Sequence, residues 1–295
     1  MAHVSDNTIV KLNQLYGQMM AFGESPGINI LNRTSLDTIA HVDLNDAKPP
    51  KDRALFLTQT AHGYYDKDTN SFLNAATILD FSKGVPMPAY RLVRFNNINE
   101  TLDYDEIINN PKKLLDRIEF SEPVHATEHN QRTGEHQPYM QYYHTVLVTK
   151  DYFIIPLTNL GVTSVMCTVQ KVVEAHPLGD CYQVLDNFDA VMIVFDKRTL
   201  KEVSRFKTDY LVAFHEINAY QLESDSNVIH IDCINFAEGG SPFNIFPLDV
   251  MNATGADLVD KYNKYMMGAV PGRLILDLSE DLLSIRGLSN IVGIR

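Results

Sequence analysis

Apolar and polar positions alternate in short runs along most of this chain, with turn residues between the runs. That period of two belongs to half-buried strands. Three of the runs share one pattern. Ile28-Asn29-Ile30-Leu31 enters the turn Asn32-Arg33-Thr34-Ser35-Leu36 and leaves through Ile39 and Val42. Tyr64-Tyr65 enters Asp66-Lys67-Asp68-Thr69-Asn70 and leaves through Phe72 and Leu73. Met192-Ile193-Val194-Phe195 enters Asp196-Lys197-Arg198-Thr199-Leu200 and leaves through Val203 and Phe206. Each turn opens with Asn or Asp, continues with a base and has Ser or Thr in fourth place. The Asx oxygen and the hydroxyl can both bond turn amides, which closes a hairpin. Recurrence of this unit predicts an all-β chain of repeated sheets, as in a β-propeller.

Further strands are predicted at 145–148, 152–156, 210–214 and 228–234. Helix is sparse, with 103–115 and 256–267 as candidates, and the polar stretch 122–138 reads as a surface loop. No linker or low-complexity tract interrupts the chain, so residues 1–295 are taken as one domain.

Composition narrows the function. The 295 residues are 45% hydrophobic, enough for a substantial core. The net charge of −12 and the lack of a basic run exclude nucleic acid as the main partner, because phosphate binding needs clustered Lys and Arg. The three cysteines, Cys167, Cys181 and Cys233, show no C-x-x-C spacing and fit a reducing compartment. No secretory h-region opens the chain, and no apolar run reaches the ~20 residues of a spanning helix. The expected location is cytoplasmic. Peripheral contact with a membrane is compatible with this, through apolar stretches such as 85–88 and 160–162.

The candidate chemistry lies in the histidines. His62 follows Thr60-Ala61, His144 follows Tyr142-Tyr143 and opens a predicted strand, and His215 sits in Phe214-His215-Glu216-Ile217-Asn218-Ala219-Tyr220. Neutral imidazole is a good ligand for Fe(II), Zn(II) and Cu(II). Taken singly, a strand histidine is as a rule a structural residue. His230 shares a strand face with Val228 and Asp232, while His125, His129 and His136 lack strand context and read as solvated.

The segment around His215 resembles the F-H-H-I-N-A-Y-E segment of the carotenoid cleavage oxygenases, which include β-carotene oxygenases and a retinoid isomerohydrolase. Tyr143-His144-Thr145 with Thr149-Lys150-Asp151-Tyr152 is similar to that family's Y-x-H-S-F…T-x-N-Y stretch. Thr60-Ala61-His62 with Asp66 and Thr69 is similar to its T-A-H-P-H…D-x-x-T-G stretch. Ser5-Asp6-Asn7-Thr8 and Gly23-Glu24-Ser25 resemble an earlier strand pair, and the pieces keep the family's order. The resemblance implies a seven-bladed propeller with short helices and loops on one face and Fe(II) on its axis. His62, His144 and His215 match three of the family's four iron ligands. Glu24 matches a glutamate that accepts a hydrogen bond from a ligand ring, fixing its tautomer. The activity implied is that of a non-haem Fe(II) dioxygenase, cleaving a conjugated C=C bond of a carotenoid or apocarotenoid with O₂ to give carbonyl products. The alternatives are retinoid isomerohydrolase-like chemistry, or a non-catalytic homologue that binds an apolar isoprenoid.

The chain also departs from the pattern. No histidine follows His230, so the family's fourth ligand has no counterpart, and the expectation is a propeller truncated at both ends. Glu216 stands where the family has a second histidine, Gln221 stands for Glu, and Gly63-Tyr64 stand for Pro-His.

Overall fold

The structure is a computed structural model that describes residues 11–125, 127–129, 136–138, 140–162, 181–185, 188–208, 211–236, 253–265 and 269–279. Two compact units divide it, one formed by Met1–Ala126 with Lys197–Lys201, the other by Thr127–Asp196 with Glu202–Arg295. Ser5–Thr8 and Cys167, both used in the sequence reading, lie outside the described residues.

The first unit opens with a four-stranded antiparallel meander: β1 (Lys11–Leu15), β2 (Gln18–Phe22), β3 (Gly27–Leu31) and β4 (Thr38–Asp43). Tyr16 and Gly17 both have positive φ, 54° and 74°, as a two-residue hairpin turn of the primed type requires. A short helix α1 (Leu44–Ala47) leads into the second sheet. Its strands are β5 (Ala54–Gln59), β6 (Tyr64–Asp66), β7 (Ser71–Asp80), β8 (Met87–Asn96) and β9 (Ile118–Phe120). β7 is central, paired with β5 and β6 on one side and β8 on the other, and is buried along its whole length. Between β8 and β9 lie α2 (Tyr104–Asn109) and α3 (Lys112–Leu115). The single helix expected at 103–115 is therefore two. Pro111 disfavours helical geometry at Asn110 and has no amide to donate, so the first helix ends there. Phe22 from the first sheet meets Phe72 and Phe95 from the second, with centroids 5.0 and 5.9 Å away, at the centre of this unit's core.

The second unit contains β10 (Thr127–His129) paired with β11 (His136–Pro138), so part of the expected loop at 122–138 is a hairpin with His129 opposite His136. After β12 (Met140–Gln141) come β13 (Leu147–Val148) and β14 (Tyr152–Leu157), then β15 (Leu160–Val162), β16 (Gln183–Val184), β17 (Ala190–Asp196) and β18 (Lys201–Thr208). β13-β14-β17-β18 form one four-stranded sheet and β12-β15-β16 a three-stranded one. The third sheet is β19 (Ala213–Leu222), β20 (Asp225–Phe236) and β21 (Ala269–Asp277), with α4 (Gly255–Tyr265) before its last strand. In β20 the alternation is clean: Ile229, Ile231 and Cys233 are buried and pack with Leu147, Ile154, Val194 and Leu274. His230 lies on the opposite face with Asp232, as expected, its ring stacked on Tyr220 at 5.1 Å and 10°.

The three repeated turns have one geometry. Their fifth residues, Leu36, Asn70 and Leu200, all sit at positive φ, 62°, 50° and 57°. Asn32 Oδ1 accepts from the amides of Thr34 and Ser35, and Asp66 Oδ1 from that of Asp68. Lys197, from the third turn, is buried and bonds Asp66 of the second at 3.1 Å. One sequence expectation is corrected: Cys181 is disulfide-bonded, while Cys233 is a buried thiol. Spacing alone could not reveal a bond that close approach in the fold creates.

Candidate metal centre

His62 lies just beyond β5, in a frame of buried amides. Gln59, Thr60 and Asn74 are each 2% exposed or less. Asn74 Nδ2 donates to Gln59 Oε1 and to the Thr60 carbonyl, both at 3.1 Å. Thr60 Oγ1 accepts from the His62 amide at 3.1 Å. Gln59 also fixes the turn that carries Glu24. Its amide donates to the Glu24 carbonyl at 3.0 Å, and its Nε2 donates to the carbonyls of Ser25 and Gly27 at 2.9 and 3.1 Å. Two segments 35 to 38 residues apart, Glu24 and Gln59–His62, thus share one hydrogen-bonded frame, which fulfils the polar groups that burial would otherwise penalise. Gly63 belongs to it by necessity: a Cβ there would meet Phe72 Cζ at 2.4 Å and the Leu73 carbonyl oxygen at 2.9 Å.

His144 is buried, in an irregular run that ends in an isolated bridge at Thr145. It precedes β13 rather than opening it, a difference of three residues from the predicted strand. Tyr142 Oη lies 2.9 Å from His144 Nδ1 and its ring stacks on the imidazole. His215 comes from β19, whose pairing with β20 shifts register between Ala213 and Glu216 and again between Glu216 and Asn218. Bulges of this kind re-aim side chains. Its segment, read from sequence as a buried strand, is half open: His215 is exposed and Ile217 is 60% exposed, while Ala219 is buried.

His144 and His215 come together from β-segments 71 residues apart, their ring centroids 4.9 Å apart at 78°. Partial burial, then repulsion from the neighbouring His144, lowers the pKa of the His215 imidazole from its ordinary value. It is therefore unprotonated at neutral pH, the form a transition metal binds. Among the described residues, His144 and His215 are candidate metal ligands of the second unit, and His62 is a candidate ligand of the first. Glu216, next to His215 in β19, makes its contacts elsewhere. It is bonded to Thr145, and burial pushes its carboxyl up to about 8 against the opposing effect of its own backbone amide. Thr145 and Glu216 carried no signal of this link in the sequence, since only the fold brings them together.

A profile of the retinal pigment epithelial membrane protein family matches residues 2–283. The chain belongs to that family. A carotenoid isomerooxygenase of Galleria mellonella is 23% identical over 218 residues, covering 74% of this chain and 36% of that protein. Among solved structures, the lignostilbene dioxygenase of Pseudomonas brassicacearum superposes with a TM-score of 0.56 at 17% identity, over 94% of this chain and 46% of that one. A cobalt-substituted Synechocystis ACO gives 0.55 at 14% identity, over 92% and 48%. The fold is therefore the all-β fold of the carotenoid-oxygenase propellers. The chain spans about a third to a half of the length of these relatives.

Proposed function

We propose that this chain carries part of an Fe(II) site of a dioxygenase that cleaves a conjugated C=C bond of a carotenoid or apocarotenoid. His62, His144 and His215 are its ligands within a single propeller domain formed by residues 1–295, and Glu24 orients a ligand ring. The observation that carries the reading is the His144–His215 pair, two imidazoles face to edge with His215 kept unprotonated. Family membership supports it, as do the similarity to a carotenoid isomerooxygenase and to the cobalt-substituted Synechocystis ACO.

Bound iron would supply the capacity to engage O₂ beside an electron-rich polyene. The protein's part is to present neutral donors and hold them still. Were His144 to bind the metal through Nε2, its Nδ1 would carry the proton and donate to the Tyr142 oxygen 2.9 Å away, which would fix the tautomer. The buried amide frame does the same for the His62 backbone. An apolar substrate would reach the site from a membrane surface by peripheral contact. Among the described residues no helix is long and apolar enough to cross a membrane. The proposed location is cytoplasmic and peripheral to a membrane, and the Cys181 disulfide is the observation that weighs against it.

The test is turnover of β-carotene, an apocarotenoid and a retinyl ester by the iron-loaded protein under ¹⁸O₂. The reading expects aldehyde or ketone products carrying ¹⁸O from the polyenes. Release of retinol from the ester alone would favour isomerohydrolase-like chemistry, and polyene binding without any product would favour the non-catalytic alternative.

A further inference from the structure

Two residues next to the histidines, Thr145 and Glu216, are bonded to each other and to nothing in the proposed chemistry. The Glu216 amide donates to Thr145 Oγ1 at 3.3 Å, and the same hydroxyl donates to Glu216 Oε2. One hydroxyl therefore closes a ring that includes both the backbone and the side chain of Glu216. Thr145 is buried, so this ring is shielded from competing water. It sits where ordinary sheet pairing is weakest: β13 begins only at Leu147, and the β19–β20 ladder slips on both sides of Glu216. Sheet hydrogen bonds therefore do not by themselves fix the backbone that bears His144 or His215.

We propose that Thr145 and Glu216 are a positioning pair, a clamp between two ligand-bearing segments that sets the relative placement of the His144 and His215 rings. The inference rests on the metal-site reading above and assigns a task to Glu216, which stands where the family motif has a histidine. The clamp needs an acceptor on the side chain at 216 and a hydroxyl at 145, and it needs no charge. Conservative replacements that keep those groups should keep the metal geometry.

The test is Co²⁺ titration of the full chain, followed by its d–d absorption, with thermal unfolding as a check on folding. Thr145→Val removes the hydroxyl at nearly constant volume and should weaken Co²⁺ binding about 10–100-fold, the effect seen when groups supporting metal ligands are removed, with a shifted spectrum. Thr145→Ser and Glu216→Gln should restore both affinity and spectrum to those of the wild type. Wild-type affinity and spectrum in Thr145→Val would overturn the clamp while leaving the site intact. A loss in Glu216→Gln as deep as in Glu216→Met would also overturn it, since charge would then matter. If Thr145→Val does not unfold cooperatively, that Gln-against-Met comparison decides. A wild type that takes up no Co²⁺ overturns the metal-site reading and the clamp with it.

Discussion

The His144 and His215 imidazoles meet at 78° with their centroids 4.9 Å apart, though 71 residues separate them in the chain. Neither comes from a regular strand position. His144 lies before β13 and His215 in a bulged part of β19. Irregular backbone costs hydrogen bonds, and here the cost is met by side chains: Tyr142 on the His144 ring, and Thr145 with Glu216 between the two segments. This arrangement makes the site sensitive to residues that touch no metal.

Gly63 is one such residue. A methyl group there would collide with the Leu73 carbonyl, which the β6–β7 ladder holds in place. Gly63→Ala should lower stability by about 1–3 kcal/mol, the range for an overpacked interior. Chemical denaturation measures it, and an unchanged midpoint would show that the backbone yields.

The Lys197–Asp66 pair is buried, with side chains 2% and 4% exposed. Removing Lys197 leaves the buried Asp66 carboxylate without its cation, with only the Asp68 amide and the Thr69 hydroxyl donating to it. Lys197→Ala should therefore cost about 3–5 kcal/mol. Replacing both, Lys197→Met with Asp66→Asn, should recover much of that loss. A double variant no more stable than the single one would mean that packing around the Lys197 stem, rather than the pair, is what matters.

Acid should act partly through Asp80. Burial raises its carboxyl pKa, but hydrogen bonds from the Ser82 amide and hydroxyl, both at 2.9 Å, and the His125 ring at 3.0 Å outweigh burial and hold it below the usual value. A carboxyl with a lowered folded-state pKa contributes stability above its unfolded pKa, near 4, and loses it as pH falls through the folded value. Asp80→Asn should lower the melting temperature at pH 7 and flatten its decline below pH 4. A decline as steep as that of the wild type would place the acid sensitivity elsewhere.

The legible parts of the sequence were those with local causes. The turns opened by Asn32 and Asp66 could be read because Asx groups bond amides two or three residues away, and the turn opened by Asp196 shares their residue pattern. His62, His144 and His215 could be named because each lies in a contiguous family-like motif. The β10–β11 hairpin was hidden because its strands, with His129 and His136, are short and polar. The Cys181 disulfide and the Thr145–Glu216 link were hidden for a different reason: nothing near a residue in sequence tells which distant residue the fold brings to it. The division at Asn110-Pro111 was written in the sequence, and the proline rule predicts it.

Metal content tests the central claim most directly. The wild-type chain, loaded anaerobically with Fe(II) and desalted, should retain about one iron per chain by elemental analysis, as a single site built from protein ligands requires. His62→Ala, His144→Ala and His215→Ala should each retain much less while keeping the wild-type circular dichroism spectrum. Equal iron in the wild type and all three variants would contradict the assignment of these histidines as ligands.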